Sequence, residues 1–252
     1  MIKIDYNEGN GILSLHLHGN DINSISLKML QSFNKVIHNI DQTKTKCLII
    51  DSNRKHFCAG ADLKERSTFS FDETILFLDN LNKLFMDISD LRIPTFSFIN
   101  GACMGGGLEL ALACDFRVCY TDALLGLPET SIGIIPGAGG TQRLTRLIGP
   151  SKALKWIFSA SKFTAVEAFE DGVIDFLIND NDREVFIAKF VSSILKNSPI
   201  AIKSAKNSIN STFIDHGFNE ERSSYLSALY SSDRDEGLLA FKEKRSPIWK
   251  NK

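Results

Sequence analysis

The stretch that says most about the fold is Gly101-Ala-Cys-Met-Gly-Gly-Gly-Leu-Glu-Leu-Ala111. It follows a predicted strand, Pro94–Ile99, whose first position tolerates a residue without an N–H group. The glycines predict a turn, and the residues from Leu108 onward predict a helix, whose free N–H groups favour a developing negative charge. Glu109 therefore lies at a helix start among apolar neighbours. Because an unpaired buried carboxylate is costly, we expect Glu109 to have a role.

The glycines invite comparison with phosphate-binding loops, but their spacing differs. A dinucleotide fingerprint, G-x-G-x-x-G, needs a glycine at position 103, and that residue is Cys103. No Gly-Lys-Ser/Thr follows either, which excludes a Walker loop. The run Gly105-Gly106-Gly107 instead predicts a close approach of the backbone to a ligand.

A second glutamate lies twenty positions later, in Leu125-Gly-Leu-Pro-Glu-Thr130. Pro128 stiffens the backbone in front of Glu129, which suits a carboxylate that must keep its place. A solvent-facing loop glutamate is the alternative. Taken with Glu109, the position predicts a carboxylate pair that moves protons. The cluster Gly137–Gly140, before another predicted helix, is interpreted as serving packing alone.

The segment Phe57-Cys-Ala-Gly-Ala-Asp-Leu-Lys64 connects a predicted strand to a predicted helix. Gly60 permits a tight turn that points consecutive backbone N–H groups into a cleft. The alternative is a plain connection in which Asp62 caps the helix. The segment alone leaves both interpretations open.

Composition excludes few functions. The chain has 252 residues, 43% of them hydrophobic, with a net charge of −1, which demands neither nucleic acid nor a membrane as partner. No apolar run approaches the roughly 20 residues that span a bilayer, and no signal peptide is expected at the N-terminus. The five cysteines contain no CxxC and the five histidines have no metal spacing. We therefore expect buried thiols, a reducing cytoplasmic setting and no metal.

The predicted order of elements is that of an α/β protein with a helical C-terminal third. The predicted strands are 13–17, 47–51, 94–99 and 173–178. The predicted helices are 26–41, 72–90, 151–159, 182–196, 200–210, 218–231 and 233–244. Thr164 with Glu167 predicts a capping box.

Several segments together resemble the enoyl-CoA hydratase/isomerase (crotonase) family. They are 57–65, 105–115, 126–130, 135–144 and 236–245, so the resemblance covers nearly the whole chain. It implies an α/β fold: a crotonase-like spiral of ββα units over residues 1–195, which holds the active site. An α-helical trimerisation region over residues 196–252 follows, within one structural unit. A homotrimer, or a hexamer built as a dimer of trimers, is the implied assembly.

The resemblance also implies roles for single residues. Glu109 and Glu129 match the catalytic pair of the hydratases, and the backbone N–H groups of Ala61 and Gly106 match the oxyanion hole. The positions implied to bind substrate or CoA are Lys55, Ala59, Ala61, Asp62, Leu63, Lys64, Gly106, Phe241 and Lys244. Phe241 and Lys244 match positions that reach CoA in a neighbouring subunit. No cofactor is implied, because CoA is part of the substrate.

The implied activity is that of a hydro-lyase: reversible addition of water to a trans-2-enoyl-CoA, giving a 3-hydroxyacyl-CoA, as in fatty-acid β-oxidation. One alternative is hydration of methylglutaconyl-CoA in leucine breakdown, which needs a cation for the distal carboxylate of that substrate. Arg66, near a matching loop, is the candidate. Another alternative is isomerisation of an enoyl-CoA double bond. The non-enzyme alternative is RNA binding through Lys28 and Lys35, which share a helix face, but the near-neutral charge disfavours it.

Overall fold

The structure is a computed structural model that describes residues 2–213, 227, 231–250 and 252, with the backbone alone at residues 213, 234, 238, 241 and 242. The chain forms two compact units. The first comprises Met1–Ile40, Leu48–Leu91 and Thr95–Asp182, and the second comprises Asp41–Cys47, Arg92–Pro94 and Arg183–Lys252.

The strands of the first unit form two sheets. They are β1 (Ile2–Asn7), β2 (Ile12–Leu17), β3 (Cys47–Ser52), β4 (Thr95–Ile99), β5 (Ala102–Met104), β6 (Phe116–Tyr120), β7 (Leu124–Gly126), β8 (Phe163–Thr164) and β9 (Phe176–Ile178). One sheet has the order β1-β2-β3-β4-β6-β9, and the other has the order β5-β7-β8. Strands β3, β4, β6 and β9 pair in parallel, with Leu48 opposite Thr95 and Phe96 opposite Phe116. Every residue of β4 is buried, as expected for a parallel strand covered on both faces.

A strand–strand–helix unit repeats along this part of the chain. Its helices are α1 (Leu27–His38), α2 (Leu63–Arg66), α3 (Phe71–Ser89), α4 (Gly106–Leu112), α5 (Gly140–Ile148), α6 (Pro150–Phe158) and α7 (Ala165–Asp171). In β4-β5-α4 and again in β6-β7-α5, the first strand joins the six-stranded sheet and the second joins the smaller sheet. The chain after β3 follows the same course, because Cys58 bridges to Cys103 of β5 before α2 begins. Each repeat therefore delivers its loop and helix start next to the previous one.

Local sequence explains where the long helices begin and what they bury. In α3, Ser70 and Glu73 form a capping box, and the apolar face buries Phe77, Leu81 and Leu84. In α1, Ser26 caps the helix, whose buried side packs against α3. Each large apolar side chain buried in this way stabilises the fold by about 1.5–3 kcal/mol.

The predicted strands and helices are found with shifted ends, and two differ in kind. Of the predicted strand 173–178 only β9 is extended, because the N–H groups of Val173 and Ile174 donate to Ala168 O and close the end of α7. The predicted helix 182–196 is divided into α8 (Arg183–Phe186), a π-helical turn (Ile187–Val191) and α9 (Ser192–Leu195). The five cysteines are buried free thiols, as predicted.

The second unit is helical in its described part. It continues with α10 (Pro199–Asn210), capped by Ser198, and α11 (Ser232–Glu243). The predicted helix 218–231 lies outside the described residues, apart from residues 227 and 231. Among the residues described, no single helix is long and apolar enough to cross a bilayer. One pair, Asp180–Leu195 with Pro199–Asn210, meets that criterion only jointly, across a 93° bend. The role of residues 196–252 in association stays a prediction.

Candidate active site

The glycine run at the start of α4 packs closely against the segment that follows β3. Cys58 donates its N–H to Ala102 O at 3.1 Å, and Met104 donates its N–H to Cys58 O at 2.9 Å. Gly107 leaves no room for a side chain, because a Cβ there would lie 2.2 Å from Cys58 O. The glycine is therefore required for this close approach of two backbones.

Two free backbone N–H groups lie side by side at this contact. Ile25 bonds to both neighbours of Ala61, accepting from Asp62 N and donating to Gly60 O, so the Ala61 N–H points away from Ile25. A Cβ on Gly106 would lie 3.7 Å from Ala61 N. Within the described part of the chain, the N–H groups of Ala61 and Gly106 have no protein acceptor. The structure thus brings together the two residues predicted as an oxyanion hole.

Glu109 is held by the loop that precedes α5. Its side chain is 3% exposed, and its Oε1 accepts the N–H groups of Ala138 and Gly140, each at 2.8 Å. Burial raises the pKa of Glu109, while these two hydrogen bonds and the charge of Arg143 oppose that rise. The interpretation of Gly137–Gly140 as serving packing alone is therefore wrong, since the N–H groups of Ala138 and Gly140, at the start of α5, bind the carboxylate.

Glu129 is held differently, in a single 3₁₀ turn, Glu129–Ile132, after β7. Thr130 Oγ1 fixes this turn by donating to Ile157 O at 2.7 Å. Among the described atoms, Glu129 Oε2 is buried without a hydrogen-bond partner. The pKa of Glu129 is raised to about 7, mainly by burial and to a smaller extent by the neighbouring Glu109, against a hydrogen bond from its own backbone.

The two carboxyl groups adjoin different glycines. A Cβ on Gly140 would lie 2.9 Å from Glu109 Oε1, and a Cβ on Gly105 would lie 2.8 Å from Glu129 Oε1. The carbonyl O of Gly105 also accepts the backbone N–H of Glu109 at 3.0 Å. Gly106 follows directly and supplies one of the two free N–H groups. The site therefore combines a carboxylate that accepts two backbone hydrogen bonds, a partly buried carboxyl group with a raised pKa, and two backbone N–H groups without a protein acceptor among the described residues.

Five further residues of the first unit are predicted to bind substrate or CoA. Lys55, Leu63 and Lys64 are exposed, and Ala59 is partly buried. Asp62 caps α2 by accepting the N–H groups of the next turn, and it also accepts Ser24 Oγ at 2.7 Å, so its side chain serves the cap. Roles in CoA binding stay predictions for all of these residues.

The two predicted CoA contacts in the C-terminal region belong to the second unit. Phe241 is part of α11, and its side chain lies outside the described residues. Lys244 directly follows α11 and is exposed. Their reach to CoA in a neighbouring subunit stays a prediction.

The sequence interpretation missed the groups that hold Glu109. Ala138 and Gly140 act through backbone N–H groups, and Arg143 Nη1 donates to Ala138 O at 3.0 Å. A signal was present: a buried carboxylate needs donors, and the glycine cluster opens a helix whose first N–H groups have no intrahelical partners.

The structure is an α/β fold in which two glutamates lie near two backbone N–H groups without a protein acceptor among the described residues. The family described as enoyl-CoA hydratase/isomerase matches residues 7–252. The chain belongs to the enoyl-CoA hydratase/isomerase family, and the predicted crotonase-like fold is confirmed. It is an enzyme of that family.

Individual relatives agree with this assignment. The probable mitochondrial enoyl-CoA hydratase 2 of Arabidopsis thaliana is 42% identical over 233 residues, covering 91% of this chain and 77% of that protein. The mitochondrial methylglutaconyl-CoA hydratase of Homo sapiens is 40% identical over 237 residues, covering 90% and 70%. The crystal structure of enoyl-CoA hydratase from Bacillus anthracis has a TM-score of 0.94 at 36% identity, covering 100% of this chain and 99% of that one.

Proposed function

We propose that the protein is an enoyl-CoA hydratase, which adds water reversibly to a trans-2-enoyl-CoA and gives a 3-hydroxyacyl-CoA. The observation that carries the proposal is the pair of neighbouring carboxyl groups on Glu109, which is buried, and Glu129, which is partly buried, in different environments. Adding water across a double bond needs one group that takes a proton and one that gives a proton. The pair supplies both.

The backbone donors serve the charge that forms in the reaction. When the oxygen of water attacks the β-carbon, negative charge develops on the carbonyl oxygen of the thioester. The N–H groups of Ala61 and Gly106 are fixed by the packing of two backbones, so they reorganise little as this charge appears. Loss of one such donor typically raises a barrier by about 3 kcal/mol.

The proton steps balance between the two glutamates. Glu109 takes a proton from the attacking water, and Glu129 gives a proton to the α-carbon. Glu109 then carries a proton and Glu129 is ionised, and a proton passed from one to the other through solvent restores the resting pair. The active form therefore carries a single proton shared between two coupled groups. A pKa of about 7 lets Glu129 both hold and release that proton near neutral pH.

Hydration of methylglutaconyl-CoA is the second candidate, supported by the human relative of that name. The proposal requires a cation for the distal carboxylate of that substrate. Arg66 is a candidate for this cation. Its guanidinium lies 5.6 Å from the centroid of the Phe77 ring. Double-bond isomerisation is a further candidate, because a carboxyl group that exchanges protons near neutral pH also suits that reaction.

The proposed assembly is a homotrimer or a dimer of trimers in the cytoplasm, with no cofactor beyond the CoA of the substrate. The mass in solution, measured by light scattering, distinguishes the assembly states. RNA binding through the exposed Lys28 and Lys35 of α1 is tested by a filter-binding titration against salt.

Substitution of each glutamate tests the proposal. We expect Glu109→Gln and Glu129→Gln to lower kcat for hydration of crotonyl-CoA by about 10²- to 10⁴-fold each, with KM largely kept, because each removes one proton transfer. Glu170→Gln, at an exposed position of α7, is the matched control and keeps wild-type kcat.

The assay is spectrophotometric, with crotonyl-CoA, longer 2-enoyl-CoAs and 3-methylglutaconyl-CoA compared by kcat/KM. Near-normal hydration by either glutamine variant would refute the paired-carboxylate mechanism. A wild-type protein that shifts double bonds but adds no water would replace hydratase by isomerase.

A further inference from the structure

Arg143 is a partly buried cation that contacts the loop 137–140, whose N–H groups bind Glu109. Its Nη1 donates to Ala138 O at 3.0 Å, and its guanidinium lies over Gly139. A Cβ at Gly139 would be 2.0 Å from Nη1, so the glycine makes room for the guanidinium. The mechanism above assigns Arg143 no role.

The same loop is held by a second, neutral contact. Asn82 of α3 donates to Gly137 O at 2.7 Å, and the N–H of that same peptide group, on Ala138, donates to Glu109 Oε1. The loop therefore lies between two donors on its carbonyl side, Asn82 and Arg143, and one acceptor on its N–H side, Glu109. Only one of the two donors carries a charge.

We propose that Arg143 is a positioning residue for Glu109. Its guanidinium holds the loop whose N–H groups bind the Glu109 carboxylate, and its positive charge favours the ionised form of that carboxylate. The inference rests on the proposed function, in which Glu109 must be ionised to take a proton from water. Arg143 thereby favours Glu109 as the base, although Arg143 itself does not touch the reacting atoms.

Other charged and titratable groups also face this region. Helix α4 packs against α5, β4, β5 and β6. The groups on or beside these elements are Glu129, Arg143, Arg146, Asp90, Cys103, Cys114, Asp115, Arg117, Cys119 and Tyr120. Arg117 is paired with Asp175 at 2.7 Å, and burial raises the pKa of Cys103 well above its ordinary value, so that thiol is neutral. Arg143 is the cation that lowers the pKa of Glu109 against the effect of burial.

Kinetics of Arg143→Gln give the first test. We expect kcat for crotonyl-CoA hydration to fall by about 10- to 100-fold, because a small displacement of a catalytic group has effects of that size. The acid limb of the kcat/KM profile moves to higher pH, since loss of the positive charge makes Glu109 easier to protonate. Arg143→Lys keeps the charge and returns the acid limb to its wild-type position.

Two control variants separate charge from position. Arg146→Gln removes the same charge from an exposed position one turn further along α5, and it leaves kcat and the acid limb unchanged. Asn82→Ala loosens the loop without removing a charge, so it lowers kcat and moves the acid limb less than Arg143→Gln does. An acid limb that moves equally in Asn82→Ala would overturn the electrostatic part of the proposal.

A readout that needs no turnover separates this inference from the proposed function. In protein labelled with ¹³C at glutamate carboxyl carbons, the Glu109 signal is the one absent from Glu109→Gln. We expect it to titrate at higher pH in Arg143→Gln than in the wild type. If the wild type hydrates no enoyl-CoA but this shift occurs, the proposed function fails and the positioning role stands.

An unchanged Glu109 titration together with an unchanged acid limb in folded Arg143→Gln would overturn the inference. If Arg143→Gln does not fold, Arg143→Lys decides. Lysine lacks the planar donor fork, so we expect kcat to fall by about 5-fold with the acid limb unmoved. Wild-type kcat in Arg143→Lys would then contradict the proposal.

Discussion

Glu109 and Glu129 belong to one site, but two different kinds of structure hold them. Glu109 lies in a helix, and its Oε1 receives two N–H groups from the start of the next helix. Glu129 lies in a single 3₁₀ turn and keeps Oε2 buried without a partner among the described atoms. The difference shows how one fold gives two identical side chains different surroundings: one carboxylate accepts two backbone hydrogen bonds, and one oxygen of the other accepts none among the described atoms.

Burial acts on both groups in the same direction, so the difference comes from their partners. The pKa of Glu109 is raised by burial, against two backbone hydrogen bonds and the charge of Arg143. The pKa of Glu129 rises to about 7, and the negative Glu109 contributes to that rise. Paired carboxyl groups whose environments differ in this way take the roles of base and acid.

Among variants that keep both carboxyl groups, the largest expected effect comes from adding one methyl group beside each carboxylate. In Gly140→Ala the new Cβ would lie 2.9 Å from Glu109 Oε1, and in Gly105→Ala it would lie 2.8 Å from Glu129 Oε1. Each variant displaces one carboxyl group and keeps its charge. We expect hydration kcat to fall by about 100-fold in each, measured with crotonyl-CoA.

Gly149→Ala is the control for backbone strain. Gly149 has a φ of 79°, comparable in sign with the 51° of Gly105, and no atom lies within 4 Å of a Cβ built there. We expect this variant to lose about 1–3 kcal/mol of stability and to keep its activity. Equal losses of kcat in all three alanine variants would show that general strain, rather than displacement of the carboxyl groups, is responsible.

A smaller effect is the pH dependence of stability that the raised pKa of Glu129 causes. The folded-state pKa of Glu129 is about 7, above the unfolded value of about 4.3, so the folded protein binds this proton more tightly. The resulting stabilisation is fully present below the unfolded pKa and is lost as pH rises through the folded pKa. Glu129→Gln has no such loss, so we expect it to be more stable than the wild type at pH 8.

The expected gain at pH 8 is about 1–2 kcal/mol, after allowance for the partial exposure of Glu129, and it shrinks toward pH 5. Urea unfolding at both pH values measures it. A difference between Glu129→Gln and wild type that is the same at pH 5 and pH 8 would rule out an elevated pKa for Glu129.

Some features were predictable because their signals are local. The buried strand β4, the helix after it and Glu109 all follow from one continuous segment, and the Ser70–Glu73 cap marks the start of α3 within four residues. The structure places Glu129 beside Gly105, which precedes α4, while the action of the two glutamates as a catalytic pair stays a prediction.

Other features depend on contacts between distant segments. The donors to Glu109 lie 29 and 31 residues further along the chain and act through backbone N–H groups, which have no side-chain signature. Strands β5 and β7 have three residues each, too short for an alternating pattern, and their pairing sets where the second glutamate lies. Arg143 was missed for the same reason, because its target is a backbone carbonyl.

Titration of the two carboxyl groups in the resting enzyme tests the central contrast most directly. In protein carrying ¹³C at the glutamate carboxyl carbons, the signal lost in Glu129→Gln identifies Glu129. We predict that it titrates near the expected value of about 7 in the wild type and at lower pH in Glu109→Gln, where the neighbouring negative charge is gone. A Glu129 signal that titrates at an ordinary value near 4.3 in both proteins would contradict the account.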